Sequence, residues 1–245
     1  MRHCRGVFVS GTDTGVGKTA VAAALAAWAR AQGWDVGVMK PVATGGTRSG
    51  PRGPLFSDDA RALARAARAD DDPQLINPIC LAEPLAPWTA ARRAARAITW
   101  APIRRAAEEL RRRHQLLIVE GAGGLLVPLS RSFMVAHVAQ QLSLPVLLVS
   151  RPGLGTLNHT LLSLACLRQL SIPCRGVLIN YPVPPDRNPA ARLAERTNPS
   201  LLRSWTRVLG VLPFRPLAER RRDPDGAAWI ASRVNAADLR RVLGL

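Results

Sequence analysis

Residues 11–19 read GTDTGVGKT and directly follow the apolar run GVFVS. A glycine turn between a buried strand and a helix offers successive backbone N–H groups and a helix N-terminus to an anion. In that setting Lys18 reaches the β- and γ-phosphates of a nucleotide, and the Thr19 hydroxyl is placed for a magnesium ion. The strict spacing G-x-x-x-x-G-K-[ST] puts its first glycine at residue 12, which is Thr12, and Gly11 stands one place early. A structural turn with an incidental lysine is the alternative, but GVGKT leaves a strand and opens a helix as the motif requires.

Such a loop needs metal help from a carboxylate at the end of a neighbouring strand. Glu120 closes QLLIVE, and the following GAGG lets backbone approach a bound group. A turn or capping glutamate is the bland reading. A second acid lies in Ser57-Asp58-Asp59, where Ser57 or Asp58 caps the helix ARALARAAR and the remaining carboxylate is free for a metal. A third turn, MKPVATGG, ends a strand on Lys40 and adds the Thr44 hydroxyl. Lys40 and Lys18 are expected to converge from adjacent strand ends, one on a nucleotide and one on a second anionic reactant.

The elements that must position these residues alternate. Apolar, β-branched runs occur at 6–10, 36–40, 115–120, 145–150, 175–180 and 206–212. Segments of helical period lie between them, at 18–32, 59–69, 100–113, 132–142, 157–170 and 189–204. This pattern predicts an α/β fold of three layers, a mostly parallel sheet with helices on both faces. Stretches 44–56 and 181–188 are rich in loop-forming residues, and the first is expected to be a mobile surface loop. Neither separates two cores, so residues 1–245 are expected to form a single domain.

The net charge of +17 would suit nucleic acid. Yet only two of the 34 basic residues are lysines, and the arginines are spread through alanine-rich helices as solvated faces. No aromatic-interleaved basic motif points to a nucleic-acid reader. In a chain that avoids lysine, both lysines sit in glycine-containing turns after strands. The four cysteines form no C-x-x-C pair and suit reduced thiols. With no long apolar span and no signal-peptide pattern, the expected location is cytoplasmic.

Taken together, GTDTGVGKT, KPVATG, Asp59-Ala60, VEGAGGLLVPL and GLGTLNHTLL resemble dethiobiotin synthetase in order and spacing. With INYPVPP and VLPF the resemblance runs from about residue 11 to 214, and the early glycine of the loop is part of it. It implies a P-loop NTPase-type fold and an ATP-dependent ligase of biotin biosynthesis. Its substrates would be 7,8-diaminononanoate, CO₂ and ATP, with Mg²⁺ as cofactor and dethiobiotin, ADP and phosphate as products.

The resemblance also implies roles. ATP would be held by Thr12, Asp13, Thr14, Gly15, Val16, Gly17, Lys18 and Thr19, with Asn180, Pro213 and Phe214 on the adenine. Thr19, Asp59 and Glu120 would hold Mg²⁺. Lys40, Thr44, Gly123 and Gly124 would bind the carbamate, and Lys40, Lys18 and Thr14 would be catalytic. Asn158 and the helix N-terminus near Thr156 would hold the substrate carboxylate from a second subunit, making the working unit a homodimer. Taken by itself, Asn180 reads as a strand-end turn residue. Trp88 stands where the family commonly has histidine, and His137 at a commonly acidic position; His3 and His114 read as surface residues. A dimeric P-loop ATPase switch acting on protein or DNA is the competing class. Such switches often carry a second lysine within the loop, where this chain has Asp13 or Thr14, and they have no need of KPVATG or GLGTLNH.

Overall fold

The computed structural model describes residues 5–48, 50 and 53–245. His3, Cys4 and part of the 44–56 loop lie outside the described residues. The long strands are β1 (Arg5–Gly11) and β2 (Val36–Met39). Four two-residue strands follow: β3 (Val42–Ala43), β4 (Thr47–Arg48), β5 (Leu55–Phe56) and β6 (Ile79–Cys80). The series closes with β7 (Leu116–Gly124), β8 (Val146–Ser150), β9 (Cys174–Asn180) and β10 (Val208–Leu212). The helices are α1 (Lys18–Ala31), α2 (Asp58–Ala67), α3 (Pro73–Ile76), α4 (Pro87–Arg93), α5 (Trp100–Arg113) and α6 (Val135–Gln141). Beyond β8 come α7 (Thr156–Gln169), α8 (Pro189–Leu202), α9 (Leu217–Arg222), α10 (Ala227–Ala231) and α11 (Ala236–Leu243).

Six strands form one parallel sheet in the order β10-β9-β8-β1-β7-β2. The period-2 geometry of a strand divides its side chains between two cores. Val7 and Val9 of β1 and Leu116 and Ile118 of β7 pack beneath α1, α2, α10 and α11. Phe8, Leu117 and Val119 pack on the opposite face with α4, α5 and α6. Both faces are therefore covered, as the apolar runs predict. Helix α1 lies close on the sheet because its buried face is largely alanine, from Ala22 to Ala29.

Two expectations need correction. The strands that deliver the two lysines are not neighbours: β7, which carries Glu120, runs between β1 and β2. Glu120 does not end its strand either. It pairs with Val9, after which the register shifts and Gly124 pairs with Gly11, so Gly121–Gly124 continue β7 through a bulge. The 44–56 loop contains a short antiparallel ladder, with Thr47 opposite Phe56 and Arg48 opposite Leu55. Phe56 packs on the core, and the Arg61 guanidinium lies over its ring, 5.3 Å from the centroid.

Candidate functional site

The glycine loop between β1 and α1 is built by close approach. A Cβ on Gly11 would lie 2.7 Å from the Asp13 carbonyl oxygen and 3.1 Å from Lys18 Nζ. Gly17 has φ +90°, and a Cβ there would come within 2.1 Å of Asn180 Nδ2. The early glycine thus lets the chain curl around the Lys18 ammonium, which donates to the Asp13 carbonyl at 3.1 Å. Asp13 Oδ1 in turn accepts from the Thr14 N–H at 2.7 Å, bracing the turn.

Lys40 follows β2 directly, and its ammonium is fully engaged. Nζ lies 2.7 Å from Glu120 Oε1, 2.7 Å from Asp59 Oδ2 and 3.3 Å from the Gly121 carbonyl oxygen. The Thr19 hydroxyl sits between the same two acids, 2.9 Å from Asp59 Oδ1 and 2.8 Å from Glu120 Oε1. Asp59, not Asp58, faces the site; Asp58 is exposed and pairs with Arg61. The cap of α2 is Ser57, whose hydroxyl accepts from the Ala60 N–H at 3.2 Å, worth about 1 kcal/mol.

Burial sets the electrostatics. Desolvation works against the Lys40 charge, but Glu120 and Asp59 outweigh it and the net shift is upward. Desolvation likewise opposes the Asp59 carboxylate, and the Lys40 charge and hydrogen bond overcome it, drawing the group below its ordinary range. Glu120 is completely buried, and that desolvation, with Asp59 nearby, holds it above the usual carboxylate value despite Lys40. Lys18 is lowered by burial first and by the Lys40 charge second. Two acids share one tightly held ammonium, and a second ammonium waits alongside.

Lys18, Lys40, Thr14, Thr44, Thr19, Asp59, Glu120 and Gly123 line a single cavity of about 610 Å³, together with Gly15 and Gly17. At Gly17 and Thr19 it meets a second cavity of about 290 Å³, lined by Asn180, Tyr181, Phe214 and Arg220. Asn180 is buried there; its Nδ2 donates to the Val16 carbonyl at 2.8 Å, and its Oδ1 has no hydrogen-bond partner. Pro213 lines the adjacent surface with Phe214 rather than this cavity, and its carbonyl accepts from Trp229 Nε1 at 3.0 Å. Gly124, Thr12 and Asp13 line a third cavity of about 420 Å³ together with His159 and Leu162. Asn158 is exposed on the first turn of α7 and lines none of these three cavities.

The donor set fits a hard divalent cation. A hydroxyl and two carboxylates converge as oxygen ligands, and Mg²⁺ commonly takes one or two carboxylates and completes its shell with phosphate and water. Glu120 Oε2 is buried without a hydrogen-bond partner, an acceptor that a cation would satisfy.

Two positioning residues escaped the sequence reading. Asn77 is buried, and its Nδ2 donates to the Lys40 carbonyl at 2.8 Å while its Oδ1 accepts from the Ser57 N–H at 3.3 Å. It ties the backbone of Lys40 to the start of the helix that carries Asp59. Ser150, at the end of β8, bonds the hydroxyls of Thr156 at 2.6 Å and Thr160 at 2.9 Å, and Thr12 donates to it at 3.4 Å. It links the phosphate loop to α7. A hydroxyl closing an apolar strand was a readable signal for Ser150; an asparagine before a proline says little by itself.

The histidines and Trp88 also find places. Trp88 is half-buried and outside the main cavity, whose wall is formed instead by Pro84, Leu85, Ala86 and Pro87. His137 Nδ1 accepts from the Met134 N–H at 3.0 Å, within the first turn of α6. His114 is not a plain surface residue: it bridges Asp35 at 2.8 Å and Asp71 at 2.9 Å. Cys80, Cys166 and Cys174 are free thiols. No helix among the described residues is long and apolar enough to cross a membrane.

Comparison with solved structures shows the fold. The chain matches a chain of the MinC:MinD cell division complex of Aquifex aeolicus with TM-score 0.57 at 12% identity, covering 98% of this chain and 96% of that one. It matches a ParA family ATPase from Chlorobium tepidum TLS with TM-score 0.51 at 14% identity, covering 98% of each. A family model described as an AAA domain matches residues 5–222. Among curated relatives, the ATP-dependent dethiobiotin synthetase of Anaeromyxobacter dehalogenans (strain 2CP-C) is 42% identical, covering 89% of this chain and 93% of its own. That of Thermodesulfovibrio yellowstonii is 39% identical, covering 92% and 94%. A P-loop fold and relatives of this closeness along nearly the whole chain lead to one conclusion: this protein belongs to the ATP-dependent dethiobiotin synthetase family.

Proposed function

We propose that this chain closes the ureido ring of dethiobiotin from 7,8-diaminononanoate, CO₂ and ATP, as a cytoplasmic homodimer using Mg²⁺. The observation that carries the reading is the convergence of Lys18, Lys40, Thr19, Asp59 and Glu120 on one cavity at the mouth of the glycine loop. One amine of the substrate captures CO₂ as a carbamate, whose negative charge makes it a poor electrophile. A carbamate oxygen attacks the γ-phosphorus and ADP leaves, giving a carbamic–phosphoric mixed anhydride. The second amine attacks the carbonyl carbon, the bond to the phosphorylated oxygen breaks, and phosphate departs as the amine proton is lost.

Little covalent chemistry falls to the protein, so positioning and charge neutralisation do most of the work. Lys18 would release the Asp13 carbonyl and hold the γ-phosphate, with loop N–H groups from Thr12 to Thr19 around the phosphates. Lys40 would hold the carbamate, Thr14 and Thr44 would donate to phosphate or carbamate oxygens, and Gly123 and Gly124 would offer backbone donors. Thr19, Asp59 and Glu120 would hold Mg²⁺, which when bound neutralises phosphate oxygens. Asn180 would accept from the adenine amino group through its unpartnered Oδ1, with Phe214 and Pro213 beside the base.

Asn158 would bind the substrate carboxylate of the other subunit; its exposure, with that of Leu154 and Leu162 on the same segment, supports a second copy packing there. Mass spectrometry tests the reading: dethiobiotin should form only when ATP, the diamine and bicarbonate are all present. ATP turnover without the diamine, or turnover stimulated by DNA, would favour the ATPase-switch class instead.

A further inference from the structure

Helix α7 is entered through Gly153-Leu154-Gly155, a segment with little of its own to hold it. Leu154 is exposed, Gly155 stands at φ +85°, and among the described residues no side chain caps the helix N-terminus. Asn198 Nδ2 donates to the Pro152 carbonyl at 2.9 Å, which anchors the segment but leaves the rotation of the helix open. That rotation is set by hydroxyls at the end of β8. Ser150 Oγ lies 2.6 Å from Thr156 Oγ1 and 2.9 Å from Thr160 Oγ1, and all three residues are completely buried. The same buried stripe continues as apolar packing at Leu164 and Leu167. Apolar residues at 156 and 160 would fill the space without burying hydroxyls, so what the cluster adds is direction. Two contacts one turn apart on a single oxygen fix both the height of the helix and its rotation. Asn158 stands between the two threonines in sequence and about 200° away around the axis, on the exposed face. Its direction is tied to theirs.

We propose that Ser150 is a positioning residue for the second substrate: by gripping Thr156 and Thr160 it fixes the rotation of α7, and with it the presentation of Asn158 to the diamine carboxylate. The inference rests on the proposed function for the identity of that ligand, but not for the effect of Ser150 on the helix. The nucleotide is handled separately. Thr12 also donates to Ser150, at 3.4 Å, but the phosphate loop is held to β8 by the Thr12 N–H on the Val149 carbonyl at 2.9 Å. Loss of the Ser150 hydroxyl therefore falls on α7 and not on the loop.

Kinetics and amide exchange test this together. Ser150→Ala should raise the KM for the diamine about fivefold or more, with kcat and ADP affinity kept within about twofold, and Ser150→Thr should recover part of the change. In an Asn158→Ala background the same substitution should raise that KM by less than about twofold, because the group being positioned is gone. An unmoved diamine KM in Ser150→Ala, or an equal penalty in both backgrounds, overturns the inference. Should Ser150→Ala not fold, Thr160→Val removes one of the two contacts at nearly constant shape, and the same pair of comparisons decides. Hydrogen exchange followed by mass spectrometry needs no turnover. Ser150→Ala should speed exchange across residues 154–162 about tenfold or more and leave residues 11–19 unchanged. Exchange at 154–162 that does not change also overturns it. Faster exchange there, with no dethiobiotin formed by the unaltered chain, would keep the hold of Ser150 on α7 and remove the proposed reaction. Dethiobiotin formation with the KM unmoved would do the opposite.

Discussion

Lys18 and Lys40 line one cavity in unlike company: Lys18 Nζ rests on the Asp13 carbonyl at 3.1 Å, while Lys40 Nζ is held by two carboxylates at 2.7 Å each. Burial leaves the first ammonium poorly compensated and the second over-compensated. The division of labour proposed for them, Lys18 on the nucleotide tail and Lys40 on the second reactant, rests on this contrast.

Replacing each lysine should therefore produce different kinetics. Lys18→Ala should weaken nucleotide binding and turnover together. Lys40→Ala should leave nucleotide affinity intact while lowering kcat/KM for the diamine, by about 1.5–3 kcal/mol for a charged contact to a desolvated anion. Calorimetric titration with ADP and steady-state kinetics with varied diamine separate the two; loss of nucleotide affinity alone in both variants would refute the division.

Gly17→Ala addresses the junction of the two cavities. Its φ of +90° and the 2.1 Å approach of a Cβ to Asn180 Nδ2 mean that loop and asparagine must both shift. A backbone strain of about 1 kcal/mol or more is expected, with ADP affinity reduced several-fold or more. Asn180→Leu should instead preserve phosphate contacts and erode discrimination between adenine and guanine nucleotides, measured by competition among ATP and GTP.

Much of this was legible beforehand, and the limits have physical causes. The six long strands announce themselves because strands buried on both faces are apolar throughout, and α1 and α5 begin and end within a residue of their expected bounds. Glu120 could be named because it ends an apolar run beside a phosphate loop, whereas the residues alone left Asp58 and Asp59 undecided and only the family resemblance pointed to Asp59. The order of strands could not be read, so β7 was not foreseen between the lysines. The pairing of Thr47 with Phe56 needs only two residues per strand, too few for a period to show. Asn77 and Ser150 act through partners distant in sequence, which local pattern cannot reveal.

Ser150→Ala tests one of those unforeseen links. Thr156 and Thr160 are completely buried, and removing the Ser150 hydroxyl strips each of a hydrogen bond inside the protein. A loss of about 1–3 kcal/mol in unfolding free energy is expected. Ser150→Thr retains the hydroxyl and should restore part of that loss if the added methyl is accommodated; denaturant unfolding of both variants provides the measurement.

His114 should confer a pH-dependent stability. Burial opposes its charge, but hydrogen bonds to Asp35 and Asp71 and their charges raise its pKa above the ordinary 6.5, with Arg113 also against Asp71. A raised folded value means the protonated form is favoured in the folded state. The contribution is thus full below the unfolded pKa and fades as pH rises through the folded one. The difference in unfolding free energy between the unaltered chain and His114→Gln, read by denaturant titration, should be widest near pH 5.5–6 and narrow toward pH 8, on the order of 1 kcal/mol at its widest. A gap that grows with pH would have the wrong sign.

The account's central claim is that a carbamate oxygen, not water, attacks the γ-phosphorus. Turnover in ¹⁸O-labelled bicarbonate, stopped before the label washes out into water, tests this most directly. The phosphate released should carry one oxygen at the enrichment of the dissolved CO₂, and its release should require the diamine. Phosphate that takes its new oxygen from solvent water would contradict the account.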